Sequence, residues 1–305
     1  MDADRLAVAV PTKDRRETMV SALAPIVAQL GSKDDLVIVD NGSTDGTLDA
    51  VAAWLRDRFP AGRVVSQSSG GVSAARNAAL RETTAPIVCF LDDDVRPDPG
   101  WLEQLRRAWT GCSERTALIG GPTLGEWPGG RPQWLTDHLL YVVAVLDLGD
   151  HRIRLDQRSG LGYVWGGNMS LRREAALEVG GFDPARGSRP GVPFERGEEE
   201  ELQRRLAAAG WEIWYEPTAT AHHLLPPERL TKQAFRKFFR EQGAVDAARG
   251  GRRLDGALAL AGSLIRGAAL TLLCRPQAAG AWFAAARGWA LLTGPRQPNT
   301  PQDGL

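Results

Sequence analysis

Cysteine is scarce: Cys89, Cys112 and Cys274 are the three in 305 residues, with no metal-type spacing among them. So odd and sparse a set argues against a disulfide framework and reads as reduced intracellular thiols. Net charge is missing too, because 37 Lys plus Arg balance 37 Asp plus Glu. That argues against a generic nucleic-acid coat and against a wholly disordered chain, both of which usually carry excess charge. No Walker pattern occurs and no G-x-G-x-x-G follows a strand-like run, so P-loop and dinucleotide sites have no support. Met1-Asp2-Ala3-Asp4-Arg5 is short and charged and the first apolar run holds Pro11, so no signal peptide is expected. There is no internal repeat. What is present is ordinary for a globular chain, 43% hydrophobic and 24% charged residues, enough for one large α/β domain or two small ones.

The first 120 residues alternate strand-like and helix-like segments. Residues 6–10, 36–39, 63–66 and 87–91 are short β-prone runs. Between and after them, residues 17–30, 47–59, 72–81 and 101–109 carry apolar side chains at helical spacing. The run at 87–91 is continuously apolar, as in a strand covered on both faces. The alternation predicts an α/β fold with a Rossmann-like sheet flanked by helices, in which ligands sit beyond the carboxyl ends of the strands. From about residue 118 the pattern loosens. Residues 120–132 are rich in Gly and Pro, 141–148 fit an edge strand, and 163–171 another strand followed by a helix at 173–179. A helix at 198–209 stops at Gly210, and a strand at 211–215 ends before Pro217. Past His223 come a basic helix at 231–242, two Ala/Leu-rich stretches at 258–273 and 278–292, and a tail at 295–305 expected to be disordered.

Five clusters carry chemistry. Asp92-Asp93-Asp94 follows the fourth strand, and three adjacent carboxylates repel one another unless a hard cation such as Mg²⁺ or Mn²⁺ offsets them. A solvated acidic turn is the bland alternative. Asp40-Asn41-Gly42-Ser43-Thr44-Asp45-Gly46-Thr47 closes the second strand, with Asp40 placed to accept from a ribose or a base edge. Gly70-Gly71 opens an anion-receptive helix N-terminus. Arg76 in its first turns, where the dipole disfavours a cation, calls for an anionic ligand or a carboxylate partner. Glu198-Glu199-Glu200-Glu201 exceeds what helix capping needs, so one of them is a candidate general base. His222 and His223 point to opposite faces of an extended chain, so at most one is expected to be a ligand.

Taken in order, these blocks resemble the family 2 inverting glycosyltransferases of the GT-A fold, over roughly residues 6–225. The opening Ala9-Val10-Pro11-Thr12-Lys13-Asp14-Arg15 is similar to the family's first strand and nucleotide loop. Residues 39–47, 71–79 and Leu91-Asp92-Asp93-Asp94, the last its D-x-D motif, are similar to the following blocks. Gly166-Gly167-Asn168, followed by Gly180-Gly181-Phe182-Asp183, looks like the segment closing the sugar and acceptor sites. The resemblance implies a mixed, mostly parallel sheet with a C-terminal helical extension. It implies that Thr12, Asp14, Asp40, Arg76, Asp92 and Asp93 bind the nucleotide, and that Trp165, Gly167 and Asn168 line the donor-sugar and acceptor site. Asp94 and His223 would hold Mg²⁺ or Mn²⁺. The family's base motif commonly reads Gly-Glu-Asp-x-Glu-Leu. Here Glu199 takes the Asp position, with Glu198 the alternative base. Lys13 stands where an aromatic residue often stacks on the nucleobase.

These implications give a catalytic domain over residues 1–225, split at 120 into nucleotide and acceptor halves, and a helical region at 226–294. The expected donor is a UDP-, GDP- or dTDP-sugar; the acceptor is a saccharide, a natural product or a lipid-linked molecule, and no nucleic acid partner is expected. The stretch after His223 holds twelve basic and five acidic side chains, a net of +7 against −7 for the rest. Its apolar stretches are interrupted by Arg266 and Arg287 and shorter than the ~20 residues of a bilayer span. Such helices suit peripheral contact with an anionic membrane, packing on the core, or a homodimer contact. The expected location is the cytoplasm, or the inner face of the membrane. A non-catalytic nucleotide-sugar-binding protein stays open as a rival. A nucleotidyltransferase is disfavoured, because Pro11-Thr12-Lys13-Asp14-Arg15-Arg16 lacks glycine.

Overall fold

A computed structural model describes residues 5–67, 70–156, 162–188, 197–248, 280–281 and 283–287. The chain begins β1 (Leu6–Thr12), α1 (Arg16–Val27), β2 (Asp35–Asp40), α2 (Thr47–Arg58), β3 (Arg63–Ser66), α3 (Gly71–Glu82) and β4 (Ile87–Leu91). There follow β5 (Val95–Pro97), α4 (Trp101–Thr110), β6 (Thr116–Gly120), β7 (Thr123–Glu126), β8 (Ile153–Arg154), β9 (Asn168–Arg172) and α5 (Arg173–Glu178). The last named elements are α6 (Glu198–Ala208), β10 (Glu212–Tyr215), β11 (Ala221–Leu224) and α7 (Lys232–Ala248).

The large sheet runs β3-β2-β1-β4-β9-β6-β10-β8. The first four strands are mutually parallel, β9 enters antiparallel between β4 and β6, and β10 lies parallel to β6. This is the mixed, mostly parallel sheet that the resemblance implies, flanked by helices as the alternation predicts. Every residue of β1 and β4 is buried, which explains their unbroken apolar character. Successive side chains serve opposite faces. Ala7 and Ala9 pack with Ala75, Ala79 and Phe182, whereas Leu6, Val8 and Val10 pack with Met19, Leu23 and Trp101.

A second sheet, ordered β5-β11-β7, is not legible in the sequence. Its strands have three or four residues each, too short for a periodic signal, and Gly120-Gly121-Pro122 interrupts the run between β6 and β7. Gly121 is there for close approach: a Cβ would lie 2.9 Å from the carbonyl carbon of Ala219. The edge strand expected at 141–148 is corrected. Asp137–Val143 is a 3-10 helix, and the bridge between Leu146 and Thr123 is isolated. The strand expected at 163–171 is β9, displaced toward the C-terminus. His222 and His223 lie within β11, on the extended backbone expected for them. The apolar stretch at 258–273 and the tail at 295–305 lie outside the described residues; of 278–292, residues 280–281 and 283–287 are helical.

Internal contacts divide the chain into two units. The first comprises Met1–Glu126, Ala144–Pro190 and Arg196–Leu224; the second comprises Trp127–Val143, Gly191–Glu195 and Leu225–Leu305. The second therefore includes two segments that the sequence assigns to the catalytic part. Within it, Trp134, Phe235, Phe239 and Phe283 form an aromatic cluster, with ring centroids 4.9 Å apart for Trp134–Phe235 and 5.7 Å for Phe239–Phe283. Among the described residues no helix is long and apolar enough to cross a membrane.

Candidate active site

The carboxyl ends of β1, β2 and β4 place the chemical groups of the first unit. Thr12 and Asp40 are register partners at the last positions of β1 and β2, and both are buried. Asp40 Oδ2 accepts from the Ser43 amide at 3.1 Å. Its Oδ1 is buried with no hydrogen-bond partner among the described residues, a cost that a ligand donor would remove. Thr12 Oγ1 donates to Asp93 Oδ2 at 2.8 Å.

Asp14 has a different place. It adopts a left-handed φ of 51°, its Oδ1 accepts from the Thr44 amide at 2.7 Å, and its own amide donates to Ser43 Oγ at 2.9 Å. The amides of Arg15 and Arg16 add bonds to Thr47 Oγ1 and Asp45 Oδ2. Asp14 thus stitches the loop after β1 to the loop after β2. Lys13 is exposed.

Arg76 is the carboxylate partner of the two readings that its position allows. It is 2% exposed; Nη1 donates to Glu198 Oε1 at 2.9 Å and Nη2 to Asp92 Oδ1 at 3.1 Å. Its guanidinium also stands over the Phe182 ring, 5.5 Å from the centroid. Burial acts to lower its pKa, but the charges of Asp92, Glu198 and Glu199 outweigh burial and raise it. Gly166 makes the space: a Cβ there would lie 2.6 Å from Arg76 Cζ, and one at Gly167 would lie 3.0 Å from Asp92 Oδ2. Sequence reasoning assigns Gly166 no role of its own, although a glycine pair before an antiparallel strand signals close approach.

The four glutamates at the start of α6 separate cleanly. Glu200 and Glu201 pair with Arg204 and Arg205, one turn on. Glu198 is committed to Arg76. Glu199 Oε2 is buried with no hydrogen-bond partner among the described residues. Burial, followed by the charge of Glu198, pushes the Glu199 carboxyl up to about 8, with Arg76 opposing. Gln203, one turn further along α6 and fully buried, is missed by sequence reasoning. It exchanges hydrogen bonds with both the amide and the carbonyl of Val164, and so holds α6 against the Gly166-Gly167 segment.

Asp92, Asp93 and Asp94 each meet a cation. Besides Asp92 with Arg76, Arg15 Nε lies 3.7 Å from Asp93 Oδ1 and its Nη2 lies 3.9 Å from Asp94 Oδ2. Burial raises the carboxyls of both Asp92 and Asp93. For Asp93 the charge of Asp94 adds to burial, and the result is about 7. His223 Nε2 stands 3.3 Å from Asp94 Oδ2, whereas His222, on the other face of β11, pairs with Asp98 at 2.9 Å. The second sheet makes the first contact: His223 registers against Val95 of β5, and the Leu224 amide donates to the Asp94 carbonyl at 2.9 Å.

Asn168 is internally satisfied. It is 1% exposed, its amide donates to the carbonyls of Pro122 and Ala219, and its Oδ1 accepts from Trp101 Nε1. It ties β9 to the residues just ahead of β7 and β11. Trp165 is half-buried, its indole N–H 3.4 Å from the Val145 carbonyl.

The model of the family described as "Glycosyl transferase family 2" matches residues 7–180, more than half of the chain and the segment that holds β1 through α5. The chain belongs to glycosyl transferase family 2. Among curated relatives of this glycosyltransferase, the glucosyl-dolichyl phosphate glucuronosyltransferase of Haloferax volcanii is 23% identical over 220 residues, 72% of this chain and 68% of that one. The pre-mycofactocin glycosyltransferase of Mycobacterium tuberculosis is 34% identical over 155 residues, 51% of this chain but 30% of that protein. A solved mannosyltransferase from Pyrobaculum calidifontis, in complex with GDP-Man and Mn²⁺, aligns with a TM-score of 0.57 at 21% identity, over 94% of this chain and 83% of that one. At that identity the likeness establishes the fold alone, and the fold is that of a glycosyltransferase. The transferase's Asp92, Asp93 and Asp94, Arg76 and β9 all fall within the matched family segment, whereas α6 and His223 lie beyond it.

Proposed function

We propose that this family 2 transferase moves a sugar from a nucleoside diphosphate sugar to an acceptor hydroxyl, with inversion at the anomeric carbon and Glu199 as the general base. The observation that carries this reading is the state of Glu199: buried, with no partner for Oε2 among the described residues and shifted up to about 8, beside a Glu198 that Arg76 already engages. A carboxylate tuned toward neutrality is suited to take a proton from a hydroxyl. In-line attack by that oxygen breaks the bond from the anomeric carbon to the diphosphate, and the proton passes to Glu199.

Asp40 Oδ1, a buried acceptor with no partner among the described residues, supports a nucleotide contact at the end of β2. Asp92 and Asp93 would face the ribose and diphosphate, held in place by Arg76 and Thr12 respectively. Arg76 itself acts from behind as a positioning group. Gly167 keeps the floor beside Asp92 clear, and Trp165 offers an apolar wall for the sugar or acceptor.

The donor set also suits a metal. Among the described residues no group of three side chains is preassembled around one point. Hard ions such as Mg²⁺ or Mn²⁺, however, take one or two carboxylates and complete their shell with water and substrate phosphate. Asp94 with His223 would supply the protein's share, and the Mn²⁺ and GDP-Man of the Pyrobaculum calidifontis enzyme support the reading. When bound, such an ion neutralises charge that builds on the leaving diphosphate.

The acceptor divides into two readings. A saccharide or natural product requires nothing outside the first unit. A lipid-linked acceptor at the inner membrane face is favoured by the net +7 after His223 and by the lipid named for the Haloferax volcanii relative. Co-sedimentation with vesicles separates them, since a protein that stays in the supernatant with anionic vesicles would overturn the second reading. For the reaction itself, a thermal-shift screen of UDP-, GDP- and dTDP-sugars with and without Mn²⁺ should identify the donor, and product NMR should show inversion. No stabilisation by any nucleotide sugar would overturn the proposal.

A further inference from the structure

Arg15 has no counterpart among the roles derived above. It is half-exposed, in a site where Arg76 and the imidazole of His223 are buried, with side chains 3–4% exposed. Its backbone is fixed by the hydrogen bond that its N–H donates to Thr47 Oγ1, next to the left-handed Asp14, while its long side chain crosses to the acidic run. There it spans two carboxylates at ion-pair distances of 3.7 and 3.9 Å, too long for committed hydrogen bonds and consistent with an exchangeable contact. The contrast with Arg76, bonded at 2.9 and 3.1 Å within the core, is one of commitment.

We propose that Arg15 is a placeholder cation. It offsets the mutual repulsion of Asp93 and Asp94 until a divalent ion engages Asp94, and it then turns to the diphosphate of the donor. The inference rests on the nucleotide-sugar reading of the same site and deepens it by naming a positioning residue. Two consequences oppose each other. As a competitor for the aspartates, Arg15 weakens binding of the free ion; as a partner of the diphosphate, it strengthens binding of the nucleotide. An ordinary metal-site or structural arginine would move both affinities in one direction or neither.

The test uses the full chain, with Mn²⁺ alone and then a nucleoside diphosphate in saturating Mn²⁺, each measured by calorimetry. Arg15→Gln should bind Mn²⁺ alone about two- to fivefold more tightly, as expected for removal of an exposed ion pair. It should bind the diphosphate roughly tenfold more weakly, as expected for a lost charge-assisted contact. Arg15→Lys should restore much of the diphosphate affinity. Arg16→Gln is the control for general charge, because Arg16 is the exposed neighbour at the start of α1. Unchanged or weaker Mn²⁺ binding by Arg15→Gln, unchanged diphosphate binding, or equal tightening by Arg16→Gln would each overturn the proposal. If the unaltered protein binds neither Mn²⁺ nor any nucleoside diphosphate, the underlying reading of the site fails instead. Melting curves of the variants exclude a folding defect as the cause.

Discussion

Arg76 and Glu198 are 122 positions apart in the chain, yet Nη1 of one lies 2.9 Å from Oε1 of the other, both buried. Through Nη2 the same guanidinium holds Asp92. One buried cation therefore joins the aspartate motif after β4 to the glutamates that open α6. It also fixes which glutamate is spoken for: Glu198 engages Arg76, whereas Glu199 Oε2 has no hydrogen-bond partner among the described residues.

Arg76→Met should therefore damage stability as well as activity. Removing the guanidinium leaves the buried Glu198 uncompensated, at about 3–5 kcal/mol, whereas Asp92, with a side chain 38% exposed, is partly screened by water. Differential scanning fluorimetry should show a large fall in melting temperature, and a melting temperature within a degree of the parent would show that the cluster is not buried as described.

Glu199→Gln should lower kcat by roughly 10²–10⁴ while leaving donor binding intact. In the unaltered protein kcat/KM should rise with pH along a limb near 8, because the base must be ionised, and this limb should vanish in the variant. The stability effect has the opposite sense. A carboxyl raised above its unfolded value contributes stability that is lost as pH rises from about 4.5 toward about 8. The neutral Gln escapes that loss, so the variant's melting temperature should gain on the parent's as the buffer moves from pH 5 to pH 9.

Gly166→Ala probes the close approach to Arg76. A methyl placed 2.6 Å from Cζ must push the guanidinium off its two carboxylates or move β9. Overpacking of this kind costs typically about 1–3 kcal/mol. The expected outcome is a lower melting temperature with a larger loss of kcat than of donor affinity, measured by steady-state kinetics beside binding.

Asp94→Ala should abolish Mn²⁺ binding and metal-dependent transfer, and His223→Ala should weaken both. His222→Ala should leave Mn²⁺ binding unchanged, since its ring pairs with Asp98 on the opposite face of β11. Titration with Mn²⁺ followed by electron paramagnetic resonance distinguishes the three.

Several parts of this site are legible in the amino-acid sequence. Asp40 and Asp92 follow apolar strands, and strand, turn and acid are local features. The pairing of Glu200 and Glu201 with Arg204 and Arg205 is also within reach, because i,i+4 spacing on a helix is readable by counting. The partner of Arg76 is not, nor is the full internal satisfaction of Asn168. Both depend on contacts that cross more than forty positions of chain. The short strands of the second sheet carry no periodic signal, so the approach of His223 to Asp94 is expected only through the family resemblance.

Hydrophobic period and local turn chemistry act over a few residues. They suffice for the alternating α/β core, the parallel strands that end in acids, and the surplus of carboxylates around residues 92–94 and 198–201. What each carboxylate does was left to the folded chain. Asp14 stitches loops, Glu198 balances Arg76, Glu199 stays buried with Oε2 unpaired among the described residues, and Asp94 meets His223 and Arg15. The reason is electrostatic: a carboxyl's charge state depends on water removed and counter-charges brought near, and both are set by segments that meet only when the chain has folded.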